Sequence, residues 1–292
     1  MATNTSTTHP RIPATWWGLL LRAVVAFFFI IISNFAVAPA LTLVNEVMGD
    51  SVAGMYLVAG AMALTSLIVI GLVAVWMRWV ERSSIARTGL YNGKEGVKGF
   101  FGGFALVGIA VIVTWGVAVI AGSGIDVDIT KELAPPGQSI TVGSLGAVAF
   151  VIISRAVFLQ GLPEELIYRG WLVDVTRDRL WLTMGWTTAA FTIIHLVSSG
   201  GQESVSDFIL YLVTPLGMSI IAIALVLRTG SVWWAVGTHG GMHIWSSALM
   251  LLYPIEEGPV EWIVSGVVQA LIGAVILWDW RCRRQANVAE QI

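Results

Sequence analysis

The sequence predicts an all-α membrane protein, a polytopic helix bundle of about eight transmembrane helices. Of its 292 residues 57% are hydrophobic and only 12% are charged, whereas about a quarter of the residues in soluble domains are charged. The chain also carries 14 tryptophans, and indole rings concentrate where lipid headgroups meet the bilayer core. We therefore expect a single membrane domain over residues 1–292, with membrane lipid as its surroundings.

Apolar runs of about 20 residues, long enough to cross a bilayer as helices, follow one another along the chain. The eight runs lie near residues 16–38, 52–79, 99–122, 143–173, 182–199, 207–227, 231–253 and 260–280. The first run contains AVAPA (36–40), which resembles a signal-peptide cleavage site. The run is too long for a signal peptide and Pro39 would oppose cleavage, so we expect a retained helix.

The segments that connect these runs alternate in charge. Lys and Arg dominate every second connection, and Asp and Glu dominate the others. Because basic loops stay in the cytoplasm, we expect both termini to be cytoplasmic and the protein to lie in the plasma (cytoplasmic) membrane. The formal net charge of −2 gives no polybasic patch, which argues against a nucleic-acid partner.

Several ionisable residues lie within the apolar runs. A charged side chain at the centre of a lone membrane helix costs roughly 2.5–3.5 kcal/mol, so such residues usually face the bundle interior and mark a functional site. Arg22 lies close to a helix end, from which its side chain could reach the interface, and we assign it no role. The remaining residues are Arg155, Glu164, Glu165, Arg169, His195, His239 and His243.

Three of the predicted spans place a carboxylate and imidazoles at a similar depth. At 1.5 Å of rise per residue, Glu164 lies about 20 Å from the inner end of the fourth span. His195 lies about 18 Å into the fifth span. His239 and His243 lie about 12 Å and about 18 Å into the seventh. We expect these side chains to share a hydrated cavity in the inner half of the membrane.

The segment LPEELIYRG (162–170) gives its two glutamates different surroundings. Glu165 and Arg169 are four residues apart and share a helix face, which predicts an ion pair. Glu164 lies about 100° around the helix and lacks that partner, so it suits a general base or acid. A second structural ion pair is the alternative for Glu164. Pro163 is expected to loosen the hydrogen bonding of the preceding turn and to kink the helix.

The segment THGGMH (238–243) supports two interpretations. His239 and His243 share a helix face, and the two glycines between them would let another backbone approach. The imidazole N–H groups could stabilise an oxyanion without any cofactor. Alternatively, both histidines and His195 could bind Zn²⁺, with Glu164 as the base beside the metal.

Taken in order, these motifs resemble those of a known family. EELIYRG fits EExxxR, FTIIH (191–195) fits FxxxH, and HGGMH (239–243) falls where an HxxxN-type motif is expected. The set resembles the CPBP family, the CAAX prenyl endopeptidases and bacteriocin-processing enzymes that are also called Abi-type intramembrane glutamate proteases. The resemblance covers about residues 88–253, which we take as the catalytic core.

The resemblance implies roles for individual residues. Glu164 would activate the hydrolytic water together with His195, and His239 would help to stabilise the tetrahedral oxyanion. Glu165 and Arg169 would shape the site. His243 stands where the family usually has Asn, and it could replace the amide as a donor to the oxyanion. This departure also strengthens the zinc interpretation.

The sequence therefore predicts an intramembrane endopeptidase that hydrolyses a peptide bond of a membrane-associated protein or peptide, without a cofactor. A zinc-dependent intramembrane protease is one alternative. Another is a non-catalytic membrane scaffold or immunity protein with the same fold, which the His243 departure permits. A transporter or proton relay is disfavoured, because the sequence shows neither inverted halves nor paired broken helices.

Overall fold

A computed structural model describes residues 10–49, 51–127, 133, 139–198 and 200–289. The structure is 83% helical. Its described residues form no β-strand, and Gly124 and Ile255 make an isolated antiparallel bridge between two loops. The predicted all-α class is confirmed.

Each predicted span corresponds to one long helix of the described chain. These are α1 (Trp16–Met48), α2 (Val52–Glu81), α3 (Gly93–Ile120), α4 (Val142–Thr176), α5 (Leu180–Val197), α6 (Val205–Thr229), α7 (Val232–Leu252) and α8 (Pro259–Ala289). All except α7 are long and apolar enough to cross a membrane, which makes seven candidate spans in the described ranges. Helix α7 has 21 residues, a length of about 32 Å, but carries the polar THGGMH segment.

Several helix boundaries differ from those predicted, and the largest difference is the end of α1, which lies at Met48 rather than near residue 38. Helix α3 begins at Gly93 rather than near residue 99, and an exposed Lys98–Glu95 ion pair of 2.7 Å lies on the added turns. Helix α5 ends in a 3-10 turn, His195–Val197, so His195 lies at the end of its helix. Hydropathy detects the apolar run but not these ends, because a polar helical turn and a loop have similar composition.

Helix α4 is continuous but irregular. Two π-helical segments, Arg155–Gly161 and Leu166–Trp171, flank a short α-helical stretch, Leu162–Glu165. Pro163 has no N–H to donate to the preceding turn, and the helix accommodates this by widening its hydrogen-bonding pattern. Single π-helical turns are rare and occur frequently at functional sites. The loosened hydrogen bonding predicted around Pro163 is therefore present, as π-helical geometry.

Glycines bring α7 close to both α3 and α4. A Cβ atom on Gly103 of α3 would overlap the backbone carbonyl of Trp234 in α7, so only glycine allows this close approach. A Cβ on Gly240 would lie 3.2 Å from the carbonyl oxygen of Ala156 in α4. A Cβ on Gly241 would lie 3.0 Å from the Cα of Phe104 in α3. The segment of α7 that carries the histidines therefore packs between α3 and α4.

The side chain of Arg22 does not extend to the surface of the bundle, although its position near a helix end would have allowed this. Its side chain is completely buried and forms a bidentate ion pair with Glu81, with distances of 2.8 Å from Nε to Oε1 and 2.7 Å from Nη2 to Oε2. The indole N–H groups of Trp76 and Trp171 also donate to Glu81 Oε1, at 2.9 and 3.1 Å. A partner 59 residues away compensates the buried charge, which the helix-end position of Arg22 does not reveal.

Candidate active site

The EELIYRG segment of α4 and the histidine segment of α7 meet through Glu165. Its Oε2 lies 3.2 Å from Arg169 Nε, and its Oε1 accepts a hydrogen bond of 3.2 Å from Arg169 Nη1. The same Oε1 lies 2.8 Å from His239 Nδ1. Glu165 and Arg169 each expose only 1% of their side chains. The predicted Glu165–Arg169 ion pair is confirmed, and Glu165 additionally connects it to α7.

Phe191 on α5 joins these groups to His195. The guanidinium carbon of Arg169 lies 3.8 Å from the centroid of the Phe191 ring, a cation–π contact. The same ring packs against His195, with centroids 4.6 Å apart, and against His239, with centroids 6.1 Å apart. Phe191 itself is completely buried. Helices α4, α5 and α7 therefore converge on one cluster around this phenylalanine.

The hydrogen bonds of His195 and His239 show that Nδ1 is the protonated nitrogen in both rings. His195 Nδ1 lies 2.8 Å from the carbonyl oxygen of Phe191, which can only accept, so Nδ1 carries the proton. In the neutral ring Nε2 then presents a lone pair. His239 Nδ1 likewise donates to the Glu165 carboxylate, so its Nε2 can donate only when the ring is doubly protonated.

Glu164 lies beside this cluster without a direct bond to it. The side chain is half-buried, and its Oε2 is buried without a hydrogen-bond partner among the described residues. Glu164 directly precedes Glu165 on α4 and lies four residues before Tyr168. Glu165 Oε2 also lacks a hydrogen bond but lies 3.2 Å from Arg169 Nε, so Glu164 is the carboxylate of the pair without a nearby cation.

Unsatisfied polar atoms concentrate in this cluster. Most buried polar groups in folded proteins are hydrogen-bonded, so exceptions call for an explanation. Of the nine buried side-chain atoms without a partner in the described part of the chain, five belong to the EELIYRG and FTIIH motifs: Glu164, Glu165, Tyr168, Arg169 and Thr192. Such a concentration is typical of a site that binds water or a polar ligand.

His243 lies at the edge of the cluster, one helical turn beyond His239. The two imidazole centroids are 5.3 Å apart. His243 is half-buried, and the charges of His195 and of the exposed Arg155 act on it. This position would let His243 and His239 face the same ligand atom.

The side chains of the zinc alternative do not fit a metal ion. Within the described ranges, no group of three or more His, Cys, Asp or Glu side chains is arranged to hold one. His239 Nδ1 is instead bonded directly to the Glu165 carboxylate, which leaves only Nε2 of this ring for another ligand.

The fold and this cluster define a polytopic membrane protein with a buried polar site of carboxylate, guanidinium and imidazole groups. Residues 146–245 match the model of the Rce1-like family, described as type II CAAX prenyl endopeptidase Rce1-like. The match confirms the resemblance to the CPBP family over this segment. Separate comparisons of the chain with curated proteins and with solved structures find no significant match.

All six residues that the motifs select lie within the matched segment, which itself lies inside the catalytic core predicted over residues 88–253. The structure gathers three of them, Arg169, His195 and His239, around Phe191, and Glu165 is bonded to two of those three. Two participants are missed by the motif analysis. Phe191 appears there only as the first letter of FTIIH, and Tyr168 only as a variable position of EExxxR. Their roles become visible from burial and ring contacts, not from spacing.

Proposed function

We propose that the protein is an intramembrane endopeptidase that hydrolyses a peptide bond of a membrane-associated protein or peptide with a glutamate-activated water. The observation that carries this proposal is Oε2 of Glu164, which is buried without a hydrogen-bond partner and directly precedes Glu165, the carboxylate bonded to Arg169 and His239. A base needs an unoccupied oxygen within reach of water, and Glu164 has one.

The reaction would start with a water molecule between Glu164 and the scissile carbonyl. As the water oxygen bonds to the carbonyl carbon, one water proton passes to Glu164 Oε2 and the carbonyl oxygen takes the negative charge. Collapse of the tetrahedral intermediate breaks the C–N bond, and the proton held by Glu164 goes to the leaving amine. His195 would accept a hydrogen bond from the second water proton through its free Nε2.

The imidazoles of α7 would stabilise the charge on the carbonyl oxygen. Donors aimed at a developing oxyanion are worth several kcal/mol in a site with little water. His239 can supply a donor from Nε2 when it is doubly protonated, and the neighbouring Glu165 carboxylate balances that positive charge. His243, one turn away, would supply a second N–H in place of the amide that the family usually carries.

Glu165 and Arg169 would position the reacting groups. Their ion pair is almost completely buried, and Arg169 also lies against the Phe191 ring. A buried ion pair with one partner removed is strongly destabilising. We therefore assign to this pair the placement of His239 and Phe191, and to Glu164 the proton transfer.

The substrate class follows from the matched family. The printed name of the family describes a CAAX prenyl endopeptidase, so we propose a prenylated peptide with a C-terminal CAAX sequence as the first substrate to test. Such a substrate would enter from the lipid with its prenyl chain and present its peptide to the cavity.

The test compares the wild-type protein with Glu164→Gln, both purified in detergent, on an internally quenched farnesylated CAAX peptide. We expect cleavage by the wild type, no measurable cleavage by Glu164→Gln, and no inhibition by a zinc chelator. Glu95→Gln is the matched control, since Glu95 is an exposed glutamate at the start of α3, and it should keep the wild-type rate. Full activity of Glu164→Gln would refute the mechanism.

If the wild type leaves this peptide intact, the CAAX-type substrate is wrong. The endopeptidase proposal is then tested on the membrane proteome of cells that express either wild type or Glu164→Gln. New protein termini that depend on Glu164 support it, and identical termini in both cells refute it.

A further inference from the structure

We infer that Tyr168 is a further catalytic residue, whose hydroxyl group holds the hydrolytic water in the orientation for attack. The inference rests on the proposed function, because it names an additional contact of the same water. Nothing in the motif pattern selects this residue, since EExxxR leaves the position before the arginine open.

The first observation is the burial of the Tyr168 hydroxyl without a partner. Tyr168 exposes none of its surface, and its hydroxyl oxygen makes no hydrogen bond to any described residue. Its ring packs edge-on against Phe191, with centroids 5.3 Å apart and an interplanar angle of 76°. Phenylalanine would pack equally well there, so packing alone does not account for the hydroxyl.

The second observation is the neighbouring unsatisfied acceptor. Glu164 precedes Tyr168 by one helical turn, and the Glu164 charge acts on the Tyr168 hydroxyl. Glu164 Oε2 is buried without a partner in the same part of the described chain. Leaving a buried donor and a buried acceptor unsatisfied on residues four apart in one helix is costly. A single water molecule that accepts from Tyr168 and donates to Glu164 would satisfy both.

The number of hydrogen bonds that this water can form defines the role of the Tyr168 hydroxyl. Water has two protons and two lone pairs. Glu164 Oε2 accepts one proton, and His195 Nε2 accepts the other because Nδ1 donates to the Phe191 carbonyl. Tyr168 donates to one lone pair, so the remaining lone pair is the one that points at the scissile carbonyl carbon.

The proton balance of the reaction stays as described above. The water oxygen forms the new C–O bond, its proton passes to Glu164, and the same proton leaves with the amine when the C–N bond breaks. Tyr168 keeps its own proton throughout and contributes only orientation. Losing one orienting contact should therefore slow the attack without affecting substrate binding.

The test is Tyr168→Phe, which keeps the ring and removes only the hydroxyl. We expect kcat on the farnesylated CAAX peptide, or on the substrate found in cells, to fall about 10- to 100-fold. KM should stay within twofold of wild type, and Tm should stay unchanged or rise. Rates are normalised to the folded, monodisperse fraction, so that a folding defect does not count as a catalytic one.

Thr65→Val is the matched control. Thr65 lies on α2, is completely buried, and its hydroxyl also has no partner among the described residues, but it is not part of the motif cluster. It should keep the wild-type kcat. A Tyr168→Phe variant with wild-type kcat would overturn the inference, and so would one with no folded fraction or one whose loss Thr65→Val reproduces.

These outcomes are distinct from failure of the proposed function. If wild type cleaves and Glu164→Gln does not, while Tyr168→Phe is as fast as wild type, only the role of Tyr168 is lost. If Glu164→Gln cleaves at the wild-type rate, the glutamate mechanism itself is lost.

Discussion

Two carboxylate clusters involve residues of α4, and they differ in how fully their oxygens are bonded. Around Glu81, both oxygens accept from Arg22, and Oε1 also accepts from Trp76 and Trp171. Around Glu164 and Glu165, each glutamate keeps a buried oxygen without a hydrogen bond among the described residues. The first cluster is saturated and the second is not.

This difference in hydrogen bonding distinguishes a carboxylate that stabilises the fold from one that can accept a proton. A saturated carboxylate has its lone pairs committed, so it stabilises a helix junction but cannot take a proton from water. A buried carboxylate oxygen without a hydrogen bond destabilises the folded protein. Such oxygens are rare and need an explanation, of which a functional role is one. The contrast predicts that substitutions in the Glu81 cluster change stability, whereas substitution of Glu164 changes activity.

The largest expected effect is the loss of activity in Glu164→Gln. Because the amide cannot accept the water proton, kcat should fall about 10²- to 10⁴-fold, the usual contribution of a general base. Tm in detergent should stay within a few degrees of wild type, since Glu164 makes no direct bond to the cluster. A large fall in Tm would show that Glu164 belongs with the structural carboxylates.

The corresponding test of the Glu81 cluster is Arg22→Met, which should affect stability rather than activity. It leaves Glu81 buried without its counter-charge, which should lower the free energy of unfolding by about 3–5 kcal/mol. Thermal unfolding in detergent measures this loss. The activity of the molecules that remain folded should stay close to wild type, and a selective loss of activity would contradict the division between the clusters.

Much of the site was predictable from local spacing, and the rest depends on contacts between distant segments. The Glu165–Arg169 ion pair follows from residues four apart on one helix face. The hydrogen bond from His239 to Glu165 joins residues 74 apart, so it depends on the register between α7 and α4. No motif contains that register.

The fold shows the same division. Apolar runs predicted the helices, because hydrocarbon-length segments need about 20 apolar residues. The Arg22–Glu81 pair was missed because it joins α1 to the end of α2, and the π-helical segments were anticipated only through Pro163. The catalytic roles of Glu164, His195, His239 and His243 remain predictions that kinetics must test.

A smaller effect is expected from the glycine contact that holds α7 against α3. Gly103→Ala places a methyl group against the backbone of Trp234 and near Thr238, which should lower the free energy of unfolding by about 1–3 kcal/mol. Because α7 carries His239, kcat should fall as well. Gly116→Ala is the control on the same helix, since no atom lies within 4 Å of its Cβ position. Equal effects of both substitutions would point to helix propensity rather than packing.

His243→Ala should lower kcat about tenfold relative to the wild type, because it removes one donor to the oxyanion but leaves His239 in place. His243→Asn should recover most of the rate, because its amide N–H can replace the imidazole donor. Both variants should keep the wild-type Tm. If Asn is no better than Ala, His243 does not act as a donor, and its departure from the family motif has another cause.

The smallest expected effect tests whether the two clusters are coupled through Trp171. Trp171 lies two residues after Arg169 on α4 and donates to Glu81 Oε1, and Trp76 of α2 donates to the same oxygen. Trp171→Phe and Trp76→Phe each remove one of these bonds and should each lower the free energy of unfolding by about 1 kcal/mol. If the junction also sets the position of the Glu165–Arg169 pair, only Trp171→Phe should lower kcat, by about twofold to threefold, because only Trp171 belongs to the helix that carries the site. Identical kinetics of the two variants would show that the structural cluster stabilises the fold without adjusting the site.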